Sequence, residues 1–278
     1  MLAQFATQEG KSIRCGLCPH QCLLDPGKTG ICRVRRYDEE GLVSLNYGKI
    51  SAIQLDPVEK KPLARFMPGT RTYSIGSYGC NLRCPYCQNY HIAMEYPKTR
   101  TLSPEQVIEQ ALASGVPSIS YTYNEPIVFY EFVHHTAALA KKSGLSNILV
   151  TNGYICQEPL KKLLPLMDAM NIDLKAFSDE TYRKICGGKL QPVLETIRTA
   201  HERCHVEITT LLVTNMHTLQ ELNDMINWIA ALSTEIPLHI SRYFPGYHYN
   251  EPPTPVGFIN DIYQMAAQSL KYVYKGNI

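Results

Sequence analysis

Long apolar runs are missing from this chain. No segment approaches the roughly 20 consecutive apolar residues of a membrane span, which argues against any membrane-spanning helix. An excess of either charge is missing as well. The 27 Lys and Arg residues against 25 Asp and Glu leave a formal net charge of +2. With no long Lys/Arg run, the chain shows no electrostatic footprint for a nucleic-acid partner. The opening stretch MLAQFATQEGKSIRCG lacks the basic-then-apolar pattern of a secretory leader. The expected compartment is therefore the reducing cytoplasm. There is no internal repeat and no low-complexity segment. The 278 residues, 45% hydrophobic and 19% charged, suit one large domain or a core with a small appendage.

What the chain has in quantity is cysteine. In a reducing compartment ten cysteines point to metal or redox work rather than to disulfides. Seven of the ten fall into two groups, Cys15, Cys18, Cys22 and Cys32, then Cys80, Cys84 and Cys87. Cys156, Cys186 and Cys204 are scattered and read as small buried hydrophobes.

From about residue 72 short β-branched runs alternate with helical patterns. TYSIGSYG, SISYTY, NILVTNG, AMNIDLKA, HVEITTLLV and PLHISRYF read as six core strands, with YVYKGNI as a terminal one. Ser103-Pro104-Glu105-Gln106 reads as a capping box with proline at the first helical position. Phe129, Phe132, Val133, Ala137 and Ala140 share one helical face, and Leu222, Met225, Ile226 and Ile229 share another. PLKKLLPLM, PVLETIRTAHER and residues 257–270 complete the helices. This alternation predicts an α/β fold, a partial (β/α)6 TIM-like barrel over residues 72–278, with ligands at the C-terminal strand ends. Residues 1–71 read as a Cys-rich N-terminal accessory module with a hairpin around LVSLNYGKISAIQL.

The stretch GCNLRCPYCQN, residues 79–89, places three cysteines at x3 and x2 spacing on a loop after a strand. Three thiolates can bind three irons of a cubane. No fourth cysteine follows at ferredoxin spacing, so one iron keeps an open position, which a catalytic cluster needs. The competing partial zinc site requires a fourth ligand, for which His91 is the nearest candidate.

CNLRCPYC, with the aromatic Tyr86 directly before the last cysteine, resembles the signature of the radical SAM superfamily, and the resemblance makes Tyr86 a candidate cofactor contact. The resemblance implies a 4Fe-4S cluster whose free iron chelates the amino and carboxylate groups of S-adenosylmethionine (SAM). It further implies one-electron cleavage to methionine and a 5′-deoxyadenosyl radical that takes hydrogen from a substrate. YTYNEP stands where such enzymes carry a Gly-Gly-Glu-type motif. Tyr123 and Asn124 replace both glycines, Asn124 is a candidate cofactor contact, and Glu125 remains to accept from the SAM ammonium. VTNG, with Thr151 and Asn152, is similar to the segment that contacts the SAM ribose in glycyl-radical activating enzymes. IDLK would turn Asp173 and Lys175 to one face, toward a zwitterionic ligand or toward solvent.

The longer stretches CGLCPHQCLLDPGKTGICRVR, LDPVEKKPLARFMPG and PLHISRYFPGY resemble the AmmeMemoRadiSam-system radical SAM enzymes, relatives of pyruvate formate-lyase activating enzymes. VTNMHT departs from them where they carry a Pro-Gly-x-Asn-Asp-like turn. The resemblance implies a flavodoxin or ferredoxin as reductant and functional association with Memo-like and AMMECR-type proteins.

The N-terminal group, Cys15-x2-Cys18-x3-Cys22-x9-Cys32, supplies four thiolates that suit either zinc or an auxiliary iron–sulfur cluster. His20 reads as a solvated or capping residue, with substitution for one of the thiolates as the alternative. His239 and Arg242, at the last core strand, are candidate anchors for a carboxylate or phosphate, or else rim ion pairs. Lys60 and Lys61 read as a solvated pair, and the resemblance leaves open a role at the barrel mouth. Two further readings stand beside SAM cleavage on an unidentified substrate. One is glycyl-radical activation, and the other a non-catalytic iron–sulfur or zinc electron-transfer module.

Overall fold

The strand and helix patterns resolve, in a computed structural model describing residues 1–278, into one eight-stranded sheet wrapped by helices. In chain order its strands are β1 (Ala52–Pro57), β2 (Arg71–Gly76), β3 (Ser118–Tyr121), β4 (Ser146–Thr151), β5 (Ala169–Asp173), β6 (His205–Leu212), β7 (Leu238–Arg242) and β8 (Val273–Gly276). They lie side by side in that order. All neighbours from β2 to β8 are parallel, and β1 pairs antiparallel with β2. β1 and β8 do not pair, so the barrel is open. The six expected core strands are β2 to β7, and β8 adds a seventh parallel strand.

Between the strands run α1 (Pro104–Ala113), α2 (Tyr130–Lys142), α3 (Gln157–Leu163), α4 (Leu190–His201), α5 (Leu219–Leu232) and α6 (Val256–Ala267). α1 starts at the predicted capping box. The Ser103 hydroxyl accepts from the Gln106 amide, and the Gln106 side chain accepts from Ser103 N at 2.9 Å. α5 buries Leu222, Met225, Ile226 and Ile229, the predicted stripe. Phe129 is buried too, but it closes a 3-10 turn, Pro126–Phe129, just ahead of α2.

Alternation along the strands sets the two faces of the sheet. Tyr73 points outward, and its hydroxyl donates to Gln110 of α1 at 2.7 Å. Thr72 and Ser120 point inward and share a hydrogen bond of 2.8 Å. The segment between β1 and β2 fills part of this concave face. There Val58 and Leu63 pack on Ile148 and Ala169, all four fully buried. Burial of each of the Val, Leu and Ile side chains contributes about 1.5–3 kcal/mol. The segment is also pinned by hydrogen bonds. Asn171 Nδ2 donates to Pro62 O at 2.8 Å, and Glu207 accepts from Ala64 N and Arg65 N at 2.9 and 2.8 Å.

The hairpin expected around LVSLNYGKISAIQL does not form. Gly41–Ser44 pairs back onto Arg35–Asp38, Lys49–Ile50 pairs with Arg100–Thr101, and the remainder is β1. β2 would otherwise be a bare sheet edge, and pairing with β1 satisfies its outer N–H and C=O groups. The N-terminal residues carry a three-stranded antiparallel sheet, Ala6–Glu9, Ser12–Cys15 and Leu23–Leu24. The N-terminal region docks on α2 through the fully buried ion pair of Arg35, from the neighbouring two-stranded sheet, with Glu131, and through an edge-on contact of Phe5 with Tyr130.

Candidate active site

The cysteine loop leaves the C-terminal end of β2 and is braced from both sides by amides. Asn124 Oδ1 accepts from Ser77 N at 2.8 Å, and its Nδ2 donates to Gly79 O at 3.1 Å. Asn152 Nδ2 donates to Asn81 Oδ1 at 2.9 Å and lies 3.7 Å from Cys80 Sγ. Asn81 Nδ2 in turn donates to Tyr154 O at 2.7 Å. Gly79 sits at φ +90°, and a Cβ there would stand 2.8 Å from the Cys32 carbonyl. Only glycine combines that conformation with so close an approach.

Cys80 and Cys84 line a cleft of about 300 Å³ together with Lys60, Lys61, Asn124, Glu125, Thr151, Asn152, Asp173 and Lys175. Cys87 is half-buried on the same loop but does not line the cleft. Burial pushes the Cys80 and Cys87 thiols up. The neighbouring Cys186 side chain outweighs burial at Cys84 and brings that thiol down to about 7. Three thiols of one loop, two of them facing the cleft, form a donor set that suits an iron–sulfur cluster. Cys186 does not line the cleft.

Glu125 ties the end of β3 to the end of β4. Its carboxylate accepts from Ile127 N at 3.0 Å, the Thr151 hydroxyl at 2.7 Å and Asn152 N at 2.8 Å. Burial raises its pKa to about 7 against these hydrogen bonds. Oε2, with a single protein donor, keeps capacity for a ligand N–H. Asp173 and Lys175 face one another at 2.9 Å in the cleft wall. Burial opposes the Lys175 charge, but Asp173 outweighs it and holds the ammonium well above its usual range.

Lys60 and Lys61 are not the solvated pair that their sequence suggests. Lys61 is 2% exposed, and its ammonium lies 2.6 Å from Asp56 Oδ2 and 4.6 Å from the centre of the Tyr123 ring. Tyr123, at φ +74°, donates to the same oxygen at 2.5 Å. Lys60 stays exposed, 3.5 Å from Asp56 Oδ1. Burial alone would raise the Asp56 pKa, but Lys61 and Tyr123 overcome it and hold it down to about 2.

Other residues expected as cofactor contacts face elsewhere. Tyr86 is buried, lines no part of the cleft, and places its hydroxyl 3.4 Å from Cys186 Sγ. His239 is held by Glu207 at 2.6 Å and stacks on Tyr274, because its position on β7 turns it into the barrel beside Glu207. Arg242 Nε donates to Thr254 O at 2.8 Å and secures the loop after β7. Neither lines the cleft. His91 is exposed on the short helix Tyr90–Ala93. Sequence reasoning missed Cys186 and Asn81, and missed Glu207, whose carboxylate gathers His205, His239 and two backbone amides.

Cys15, Cys18, Cys22 and Cys32 line a second, small cavity with His20, Arg35 and Val128. Arg35 Nη1 stands 3.8 Å from Cys15 Sγ, and burial pushes the Cys18 thiol far up. His20 is half-buried and bonds backbone. Its Nε2 is 2.7 Å from Asn81 O, so this cavity abuts the cysteine loop after β2.

Residues 74–229 match the Radical SAM superfamily. "Uncharacterized protein MJ0808" of Methanocaldococcus jannaschii is 40% identical over 278 residues, covering 97% of this chain and 83% of that protein. A GTP 3′,8-cyclase of Lactiplantibacillus plantarum is 33% identical over 127 residues, which is 44% of this chain and 38% of the cyclase. Among solved structures, a radical SAM methyltransferase from Sphaerobacter thermophilus superposes with a TM-score of 0.59 at 14% identity, covering 76% of this chain and 67% of that one. SuiB of Streptococcus suis bound to S-adenosylmethionine gives 0.58 at 12% identity, covering 72% of this chain and 48% of that one. These two likenesses are of fold. No helix of the chain is long and apolar enough to cross a membrane. With a strand-end cysteine loop beside an acidic and basic cleft, and with the family match across more than half its length, the chain belongs to the radical SAM superfamily of enzymes.

Proposed function

We propose that this chain cleaves SAM reductively at a 4Fe-4S cluster held by Cys80, Cys84 and Cys87, and uses the 5′-deoxyadenosyl radical to take a hydrogen atom from a substrate. One observation carries the proposal. Cys80 and Cys84 share a single cleft with Glu125, Thr151, Asn152, Asp173 and Lys175, drawn from the ends of four consecutive strands. When bound, the cluster supplies the electron for sulfonium cleavage. The protein does the rest by orientation and exclusion of water.

In this reading Glu125 Oε2 receives the ammonium of the methionyl group, and Lys175, partly neutralised by Asp173, meets its carboxylate. Thr151 and Asn152 fix Glu125 and the β4 end rather than offering free side-chain donors. Asn124 holds the cluster loop. The reading extends to a second metal, zinc or iron–sulfur, on Cys15, Cys18, Cys22 and Cys32. It also includes a flavodoxin or ferredoxin donor, the cytoplasm as compartment, and a functional link with Memo-like and AMMECR-type proteins. These rest on donor chemistry and on resemblance to the AmmeMemoRadiSam-system enzymes.

The test is anaerobic reconstitution with iron, sulfide, reductant and SAM, followed by quantification of 5′-deoxyadenosine. Wild type is expected to form it and Cys84→Ala to lose at least ~100-fold, since transition-state stabilisation of a few kcal/mol disappears with the cluster. Equal formation by both proteins refutes the assignment.

A further inference from the structure

Of the three cysteines outside the two groups, Cys186 is carried by the fold directly against the catalytic loop. It ends the single π-helical turn Tyr182–Cys186 and is fully buried, and Gly187 follows at φ +74°. Such turns are rare and recur at functional sites. The Cys186 carbonyl accepts from Arg83 N at 2.9 Å, so it is fastened to the loop between Cys80 and Cys84. Its Sγ lies 3.4 Å from the Tyr86 hydroxyl, two residues along the loop from Cys84, and its thiol stands close enough to Cys84 to bear on that thiol's charge. Because Cys84 lines the cleft and Cys186 does not, Cys186 stands behind the ligand sulfur, away from the open side.

We propose that Cys186 is a positioning residue that donates a hydrogen bond from its thiol to the Cys84 sulfur, oriented by the Tyr86 hydroxyl, and thereby raises the reduction potential of the cluster. The physical cause is charge. One-electron reduction adds negative charge that is shared by the ligand sulfurs, and a donor aimed at one of them stabilises the reduced form. Tyr86 donates to Cys186 Sγ, which leaves the S–H free to point at Cys84. This also accounts for a buried aromatic hydroxyl in the cysteine loop that makes no contact with the cleft.

The proposal rests on the assignment of the cluster to Cys84, and the experiment separates the two. The full chain is reconstituted anaerobically without SAM, assayed for iron, and titrated potentiometrically by electron paramagnetic resonance. In Cys186→Ala the reduced-to-oxidised ratio at a fixed solution potential is expected to fall about tenfold, equivalent to about 59 mV for a one-electron couple, with full iron content. Tyr86→Phe is expected to shift it in the same direction by less. Cys186→Ser keeps a donor and is expected to stay at or above the wild-type potential, which serves if the alanine variant does not fold. A wild-type potential in Cys186→Ala overturns the proposal, and so does a fall in Cys186→Ser. Loss of iron from both Cys186 variants also overturns it, by making Cys186 a ligand. A wild-type chain that holds no cluster sinks the Cys84 assignment instead.

Discussion

Asn124→Ala tests how the catalytic loop is held. The side chain makes two buried hydrogen bonds to backbone, from Ser77 N at 2.8 Å and to Gly79 O at 3.1 Å. Truncation strands one amide and one carbonyl that lie buried beside the cleft. Each stranded group costs about 1–3 kcal/mol, so the pair costs roughly 2–6 kcal/mol. A domain with about 5–15 kcal/mol of stability survives that on average, with a melting temperature lower by on the order of 10 °C. The loss is concentrated at the loop that presents Cys80, so iron retention should fall before global folding does. Asn124→Asp keeps the acceptor for Ser77 N but sets a carboxylate oxygen against Gly79 O, and should be no better than alanine. The assay is iron per chain after reconstitution and desalting, alongside thermal denaturation of the metal-free protein. A variant with wild-type iron content and wild-type melting, but weakened SAM binding, refutes the bracing role and returns Asn124 to the cofactor contacts.

Two further predictions follow from neighbouring contacts. Asp56, held down to about 2 from 3.8, contributes stability that is complete above pH 3.8 and lost as pH falls through about 2. That contribution is on the order of 2 kcal/mol, so Asp56→Asn should be destabilised at neutral pH and lose this acid limb in denaturant titrations at pH 2 and pH 6; an unchanged pH profile contradicts it. Gly79→Ala, at φ +90° and 2.8 Å from Cys32 O, should strain both cysteine regions and cut iron incorporation, and a fully loaded alanine variant would show that the two do not meet there.

Much of this architecture was legible in the chain. Short β-branched runs such as HVEITTLLV mark strands, and period-3.6 stripes such as Leu222–Ile229 mark the buried faces of helices, so the partial barrel and its helices followed. The Cys80 loop was legible because the chemistry needs three thiols at short range in sequence. Side-chain direction was not. Asn124 and Tyr86 carry suitable groups at suitable positions, yet the fold turns Asn124 onto the loop backbone and Tyr86 toward Cys186. Lys61 looked solvated because its partners, Asp56 and Tyr123, lie on β1 and after β3, and Tyr123 is 62 residues away in sequence. The same holds for Glu207, whose donors Ala64 and Arg65 come from the segment that enters the barrel. The failed hairpin has a different cause. Alternation in Ala52–Pro57 marked a strand correctly but did not name its partner.

The central claim meets its most direct test in an anaerobic crystal structure of the reconstituted chain with SAM. The account predicts a cubane on Cys80, Cys84 and Cys87 alone, with the methionyl group of SAM on its fourth iron, beside Glu125, Asp173 and Lys175. A fourth protein ligand on that iron, or SAM bound outside this cleft, would contradict it.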